Sequence, residues 1–280
     1  MHPTSSPAPI PLALTPGNPC WLELATSAPA TAMRFYRAVM GWEFEQRVDS
    51  GGLPYYMAMA AGEPVAGIRP VEWPVTDWTV YLATPDLNAL VRQSAVLGGR
   101  TVETGHVVPR VGVKALIEPP AGARFGACEI ADDWTFGAGV PNSLVWAEFI
   151  THYATHADEY FGELFDFTGK QFGDGGDDDY MVWYAGEDSV IGRVRMMPGT
   201  PSDVSARWIA HFHTSFDRDF DEAVRVAHDA GARLRFRPYT SQLGKVAVMS
   251  DPTGARFALI DPALAVGERH GIRADDPFDD

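Results

Sequence analysis

The chain has 280 residues, 46% of them hydrophobic and eight of them tryptophan, which is enough to bury a sizeable core and excludes a disordered protein. Its net charge of −15 excludes a nucleic-acid or anionic-membrane surface, either of which needs clustered Lys and Arg. The two cysteines, Cys20 and Cys128, are too few for a disulfide framework or a cysteine metal cluster, and they point to a reducing cytoplasm.

Residues 1–17 hold five prolines and read as an extended, disordered arm with no signal-peptide pattern. No apolar run approaches the roughly 20 residues of a membrane span. The strand WLELAT (21–26) leads into a helix whose apolar face is Ala32, Phe35, Tyr36, Val39 and Met40. Two short strands follow, PYYMAMA (54–60) and EPVAGI (63–68). The order then recurs: strand WTVYLAT (78–84), a helix face of Leu87, Leu90 and Val91 stopped by Gly98-Gly99, and the closing hairpin VGVKALIEPPAGARF (111–125).

All of this is then written a second time. WAEFIT (146–151) matches WLELAT at an offset of 125, placing Trp146 on Trp21, Glu148 on Glu23, Tyr180 on Tyr55 and Gly192 on Gly67. LGKVAVMSDPTGARF (243–257) matches the first closing hairpin at an offset of 132. The helix face Ala157, Tyr160, Phe161, Leu164, Phe165 and the strand WIAHFHTS (208–215) complete the second half. The expected organisation is an arm at 1–17, a first domain at 18–131, a linker at 132–142, a second domain at 143–263 and an acidic tail at 264–280. The fold class is α+β, built from four strand–helix–strand–strand units.

The duplicated W-x-E pair, the RFYRAVMGWEFE helix exit (34–45) and the DPTGARFALI hairpin (251–260) resemble the vicinal oxygen chelate superfamily of glyoxalase, bleomycin-resistance and extradiol-dioxygenase relatives. The resemblance covers residues 18–262 and implies four βαβββ modules, arranged as two glyoxalase-like domains with cup-shaped mixed sheets. It also implies metal-ligand slots on the first and last strands of the units. Those slots hold Trp21, Thr79, Trp146 and Ile209, then Gly126 and Ala258, none of them a usual ligand, so no metal and no cofactor is expected.

Residues two apart on a strand share a face, so Trp21 with Glu23, Thr79 with Tyr81, Trp146 with Glu148, and His211 with His213 are expected in the cups. Tyr180 and Trp183 are expected nearby. Glu148, His211 and His213 are the candidate catalytic set, a histidine acting as acid or base beside the carboxylate. The ligand-binding candidates are Trp21, Glu23, Thr79, Tyr81, Trp146, Tyr180 and Trp183. A structural role for the duplicated glutamates, through an ion pair with Arg69 or Arg193 or a hydrogen bond to a strand edge, is the favoured reading for Glu23 and stays open for Glu148. A displaced metal site on Glu148, His211 and His213 competes with acid–base chemistry. His106 is a pocket-rim candidate, and the acidic run 173–180 reads as a hairpin turn, since it lacks the closing Glu of a calcium loop.

The expected function is a metal-independent, cytoplasmic protein, monomeric or homodimeric, that binds or modifies an apolar or aromatic small molecule such as a natural product or antibiotic, with no nucleic-acid or membrane partner. The competing readings are a metal-dependent lyase, epimerase or ring-cleaving dioxygenase, and an antibiotic-sequestering protein without turnover.

Overall fold

A computed structural model of the chain describes residues 15–72, 76–173, 175–176, 179–214 and 218–266. The arm read at 1–17 lies outside them except for its last three residues, the tail read at 264–280 except for its first three, and three positions of the acidic turn are also outside.

The first half carries β1 (Pro19–Thr26), α1 (Pro29–Met40), β2 (Glu43–Val48), β3 (Pro54–Ala60) and β4 (Glu63–Pro70). Its second unit is β5 (Asp77–Ala83), α2 (Leu87–Val96), β6 (Arg100–Val108), β7 (Gly112–Glu118) and β8 (Phe125–Ile130). The second half repeats this with β9 (Leu144–Thr151), α3 (Ala154–Phe165), β10 (Thr168–Phe172), β11 (Tyr180–Ala185) and β12 (Asp188–Arg195). Its last unit is β13 (Arg207–His213), α4 (Phe220–Asp229), β14 (Arg233–Leu234), β15 (Tyr239–Ser241), β16 (Gly244–Ser250) and β17 (Arg256–Asp261).

Each half forms one curled mixed sheet, ordered β2-β3-β4-β1-β5-β8-β7-β6 and β10-β11-β12-β9-β13-β17-β16-β14. The first unit therefore pairs with the second, and the third with the fourth, through antiparallel β1–β5 and β9–β13 seams. Within each unit the first strand runs parallel to the last. The helix faces bury the residues their spacing selects: Ala32, Phe35, Tyr36, Val39 and Met40 on α1, with Ala157, Tyr160, Phe161, Leu164 and Phe165 on α3. Gly41, at φ 68°, closes α1 in the left-handed conformation, its N–H donating to the Arg37 carbonyl.

The two halves share one core. Phe35 and Tyr36 of α1 lie on Phe257 of β17, at ring separations of 5.6 and 5.9 Å. Phe161 of α3 lies 5.1 Å from Phe125 of β8. Each half's first helix thus packs on the closing strand of the other half. The Tyr36 hydroxyl donates to Asp251 at 3.1 Å across the same boundary. On β1 and β9 the glutamates alternate with Leu24 and Phe149, which enter the main core, so Glu23 and Glu148 belong to the opposite face of their sheets.

Candidate active site in the second cup

In the first cup, β1 presents Trp21 and Glu23. Glu23 is 2% exposed and forms an ion pair with Lys114 of β7, itself 1% exposed. Arg69 Nε lies 3.5 Å away, and the Tyr81 hydroxyl donates to the same carboxylate at 3.1 Å. The Lys114 ammonium also sits over the rings of Tyr55 and Tyr81, at 5.1 and 4.7 Å. Burial pushes the Glu23 carboxyl up, but Lys114 and Arg69 outweigh it and leave the group below its ordinary value. Trp21 donates to Tyr55 and is covered by Phe136 of the linker at 5.6 Å. The first cup is filled by its own side chains. Its Gly126 slot is filled too, because a Cβ there would lie 2.0 Å from the Tyr81 ring.

The second cup starts from the same plan. Trp146 donates to the Tyr180 hydroxyl at 2.9 Å, and Tyr180 donates to Glu148 at 3.1 Å. Both halves need glycine opposite this tyrosine, since a Cβ on Gly67 or Gly192 would fall 1.8 or 2.2 Å from the hydroxyl. Burial and the Glu148 charge raise the Tyr180 pKa well above that of free tyrosine, so it stays a donor.

The two cups then diverge. Tyr81, opposite Trp21, corresponds to His211, opposite Trp146. Lys114, beside Cys128, corresponds to Val246, beside Ile260. Thr79 corresponds to Ile209, each opposite its glutamate. Glu148 therefore has no lysine or arginine in ion-pair range among the described residues; it faces the imidazole of His211, 3.2 Å from Oε2 to Nε2. His211 is 1% exposed, yet among the described residues neither ring nitrogen completes a hydrogen bond, the Glu148 contact being close but off-angle. Around this pair Ile209, Val246, Val248, Ala258 and Ile260 form an apolar cluster separate from the main core, with Phe236 and Tyr239 against it.

The sequence-derived candidates distribute as follows. Glu148, His211, Tyr180 and Trp146 come together in the second cup. His213 stands one alternation further on, level with Ile260; it is half-buried, and burial lowers its pKa. Trp21, Glu23 and Tyr81 join the closed first cup, with Thr79 opposite Glu23. Trp183 is corrected. It faces the helix layer, donating to Asp158 of α3 at 2.8 Å and lying 4.9 Å from Phe161, because three residues of strand from Tyr180 reverse the face. Arg193 is likewise absent from the glutamate's surroundings and pairs with Asp158 and Asp179. His106 lies 3.4 Å from Asp49 beside the first cup. Lys114, Phe236 and Tyr239 were not read from the sequence; the signal for the last two is the break between β14 and β15, where RFRP (235–238) interrupts the edge strand.

The donor set does not fit the metal that the fold's metal-dependent members carry. The slots hold Trp, Thr, Ile, Gly and Ala, and among the described residues no three His, Cys, Asp or Glu side chains converge. Glu148, His211 and His213 do not form such a group.

Residues 21–128 match the family model of the glyoxalase-like domain. Over 259 residues the chain is 29% identical to CFP32 of Mycobacterium tuberculosis (strain CDC 1551 / Oshkosh), which bears the name of a glyoxylase; the match covers 88% of this chain and 95% of that protein. Over 281 residues it is 28% identical to the anthracycline biosynthesis protein DnrV of Streptomyces peucetius, covering 90% and 98% of the two chains. Its fold is similar to that of the Mn(II)-bound glyoxalase from Novosphingobium aromaticivorans, with a TM-score of 0.63 at 14% identity over 91% and 87% of the chains. It is similar also to the 2,3-dioxygenase LapB from Pseudomonas sp. KL28, with a TM-score of 0.61 at 15% identity over 95% and 98%. Residues 21–128 thus form a glyoxalase-like domain, and with four βαβββ units in two curled sheets the chain has the fold of the vicinal oxygen chelate superfamily.

Proposed function

We propose that the chain is a metal-independent enzyme that binds an apolar or aromatic small molecule in its second cup and performs acid–base chemistry on it with His211 and Glu148. The observation that carries this reading is the almost fully buried imidazole held 3.2 Å from a carboxylate that no lysine or arginine neutralises. His211 Nδ1 has no hydrogen-bond partner among the described residues and is the nitrogen left to act on a ligand. It takes a proton from an acidic C–H or O–H of the ligand, while Nε2 faces Glu148, whose charge stabilises the imidazolium that results. Tyr180 holds the carboxylate from the other side. General-base assistance of this kind contributes roughly 10²–10⁴-fold to a rate. The apolar lining favours an aromatic body, which agrees with the natural-product role in the name of the Streptomyces relative.

The test is to treat the purified protein with chelator, assay its metal content, and challenge it with polycyclic aromatic ketones followed by mass spectrometry. Turnover by the metal-free protein that is lost in His211→Asn and Glu148→Gln supports the reading. Turnover that returns only with added metal overturns it, and tight binding of an unchanged ligand identifies a sequestering protein instead.

A further inference from the structure

The end of the second cup away from His213 carries three arginines. Arg207 lies two residues before Ile209 on β13, and Arg256 two before Ala258 on β17, so both stand in the rows that face the cup. Arg235 follows β14, and its N–H donates to the Val248 carbonyl on β16, which places it in the same alternation. The three therefore stand on one face across β13, β17 and the edge beyond β16, Arg235 level with Val248 and Ala258 and the other two further along. They are close enough for their charges to repel, beside the RFRP break that sends Phe236 onto the apolar cluster.

Their charge is not balanced. Among the described residues none of the three has a carboxylate within ion-pair distance, and the nearest acidic influence is Asp77 at the start of β5. Burial, joined by repulsion from Arg256 and Arg235 and opposed by Asp77, lowers the Arg207 pKa to about 10. Burial lowers Arg256 in the same way, with Arg235 adding to the effect. Asp77 itself is raised by burial to about 6, so at neutral pH it supplies one negative charge against three positive ones. A protein of net charge −15 has plenty of carboxylates, yet among the described residues Asp77 alone opposes the desolvation of these two half-buried guanidiniums, and only from beyond ion-pair distance.

We propose that this end of the cup recognises an anionic group, so that the ligand is an elongated apolar acid. Its anionic end meets Arg207, Arg235 and Arg256, and its body lies on the partly exposed Phe236 and Tyr239 that cover the apolar cluster, toward His211. Four residues of strand separate Arg207 from His211, roughly 13 Å, the reach of a fused-ring aromatic with a carboxylate or similar anion at one end. This inference rests on the second cup being the ligand site, as proposed above.

A matched pair of dyes separates the two ideas: 1-anilinonaphthalene-8-sulfonate, an aromatic anion, and N-phenyl-1-naphthylamine, the same ring system without the sulfonate. Fluorescence titrations should show the anion binding more tightly to the full-length protein, and weakening as sodium chloride rises from about 0.05 to 0.5 M while the neutral dye does not. Arg207→Gln combined with Arg256→Gln should cost the anion roughly tenfold per guanidinium and leave the neutral dye within about twofold. Thermal melts establish that the variant is folded, and the salt series on the unaltered protein stands independently of it. Equal affinity for both dyes, insensitive to salt and to the double substitution, overturns the anionic site and leaves the apolar cup standing. Failure of both dyes to bind, or binding that Ala258→Trp does not disturb, overturns the cup reading and this inference with it.

Discussion

The two cups begin from one pattern and end as different objects. In both, a tryptophan holds a tyrosine over a glycine beside a buried glutamate. In the first, Lys114 and Arg69 neutralise Glu23, Tyr81 covers Gly126, and Phe136 closes over Trp21. In the second, Val246 replaces the lysine and His211 the tyrosine, and the carboxylate's partners among the described residues are the His211 imidazole and the Tyr180 hydroxyl. Duplication explains the difference in physical terms. A buried carboxylate is costly unless paired, so the half that pairs it with a cation spends the residue on stability. The half that pairs it with an imidazole leaves it available for the acid–base role proposed above.

This contrast can be broken at several points. Lys114→Met removes the cation from a buried pair and should cost about 3 kcal/mol in urea unfolding, with Arg69 keeping the loss from being larger. Val246→Lys transplants the first cup's lysine into the second; the neutral dye should lose at least about tenfold in affinity, or roughly 1.4 kcal/mol, with Glu148 now paired. Trp183→Phe removes a hydrogen bond to Asp158 and some core volume, and should cost about 1–2 kcal/mol in the same unfolding assay. Dye affinity should not change, because that side chain faces the helix layer. The smallest effect is in acid. Glu23 titrates below its ordinary 4.5 in the folded protein, so its contribution to stability is complete above that pH and drains away as the pH falls through the lower folded value. Stability measured from pH 6 to pH 3 should therefore fall less steeply in Glu23→Gln than in the unaltered chain.

Much of the scaffold is legible because repetition is legible. The matched tracts at offsets of 125 and 132 locate both sheets, and the helix faces follow from spacing. Strand alternation also brings out Trp21 with Glu23, and Glu148 with His211, since those relations lie within a strand or across one seam. What escapes is of two kinds. Face assignments fail where residues are grouped by proximity alone, as with Trp183 beside Tyr180 and Arg193 beside Glu148. Pairings across the sheet fail because nothing local announces them: Lys114 reaches Glu23 over 91 positions, from a hairpin whose counterpart carries valine. Whole-chain charge misleads for the same reason. An excess of 15 negative charges says nothing of an end where three arginines stand nearly alone.

The repeated GARF tetrapeptide has a meaning beyond the hairpin it closes. Its phenylalanine, Phe125 in one half and Phe257 in the other, is where the opposite half's first helix lands. Neither half holds its own lid. A gene cut within the linker would thus yield two fragments, each with an open aromatic seat and a helix shaped for the other's, and mixing them should rebuild the whole. Once those seats were exchanged, the duplication became hard to reverse. Losing either half would strip the other of a helix, so each cup is part of the footing on which its counterpart is built.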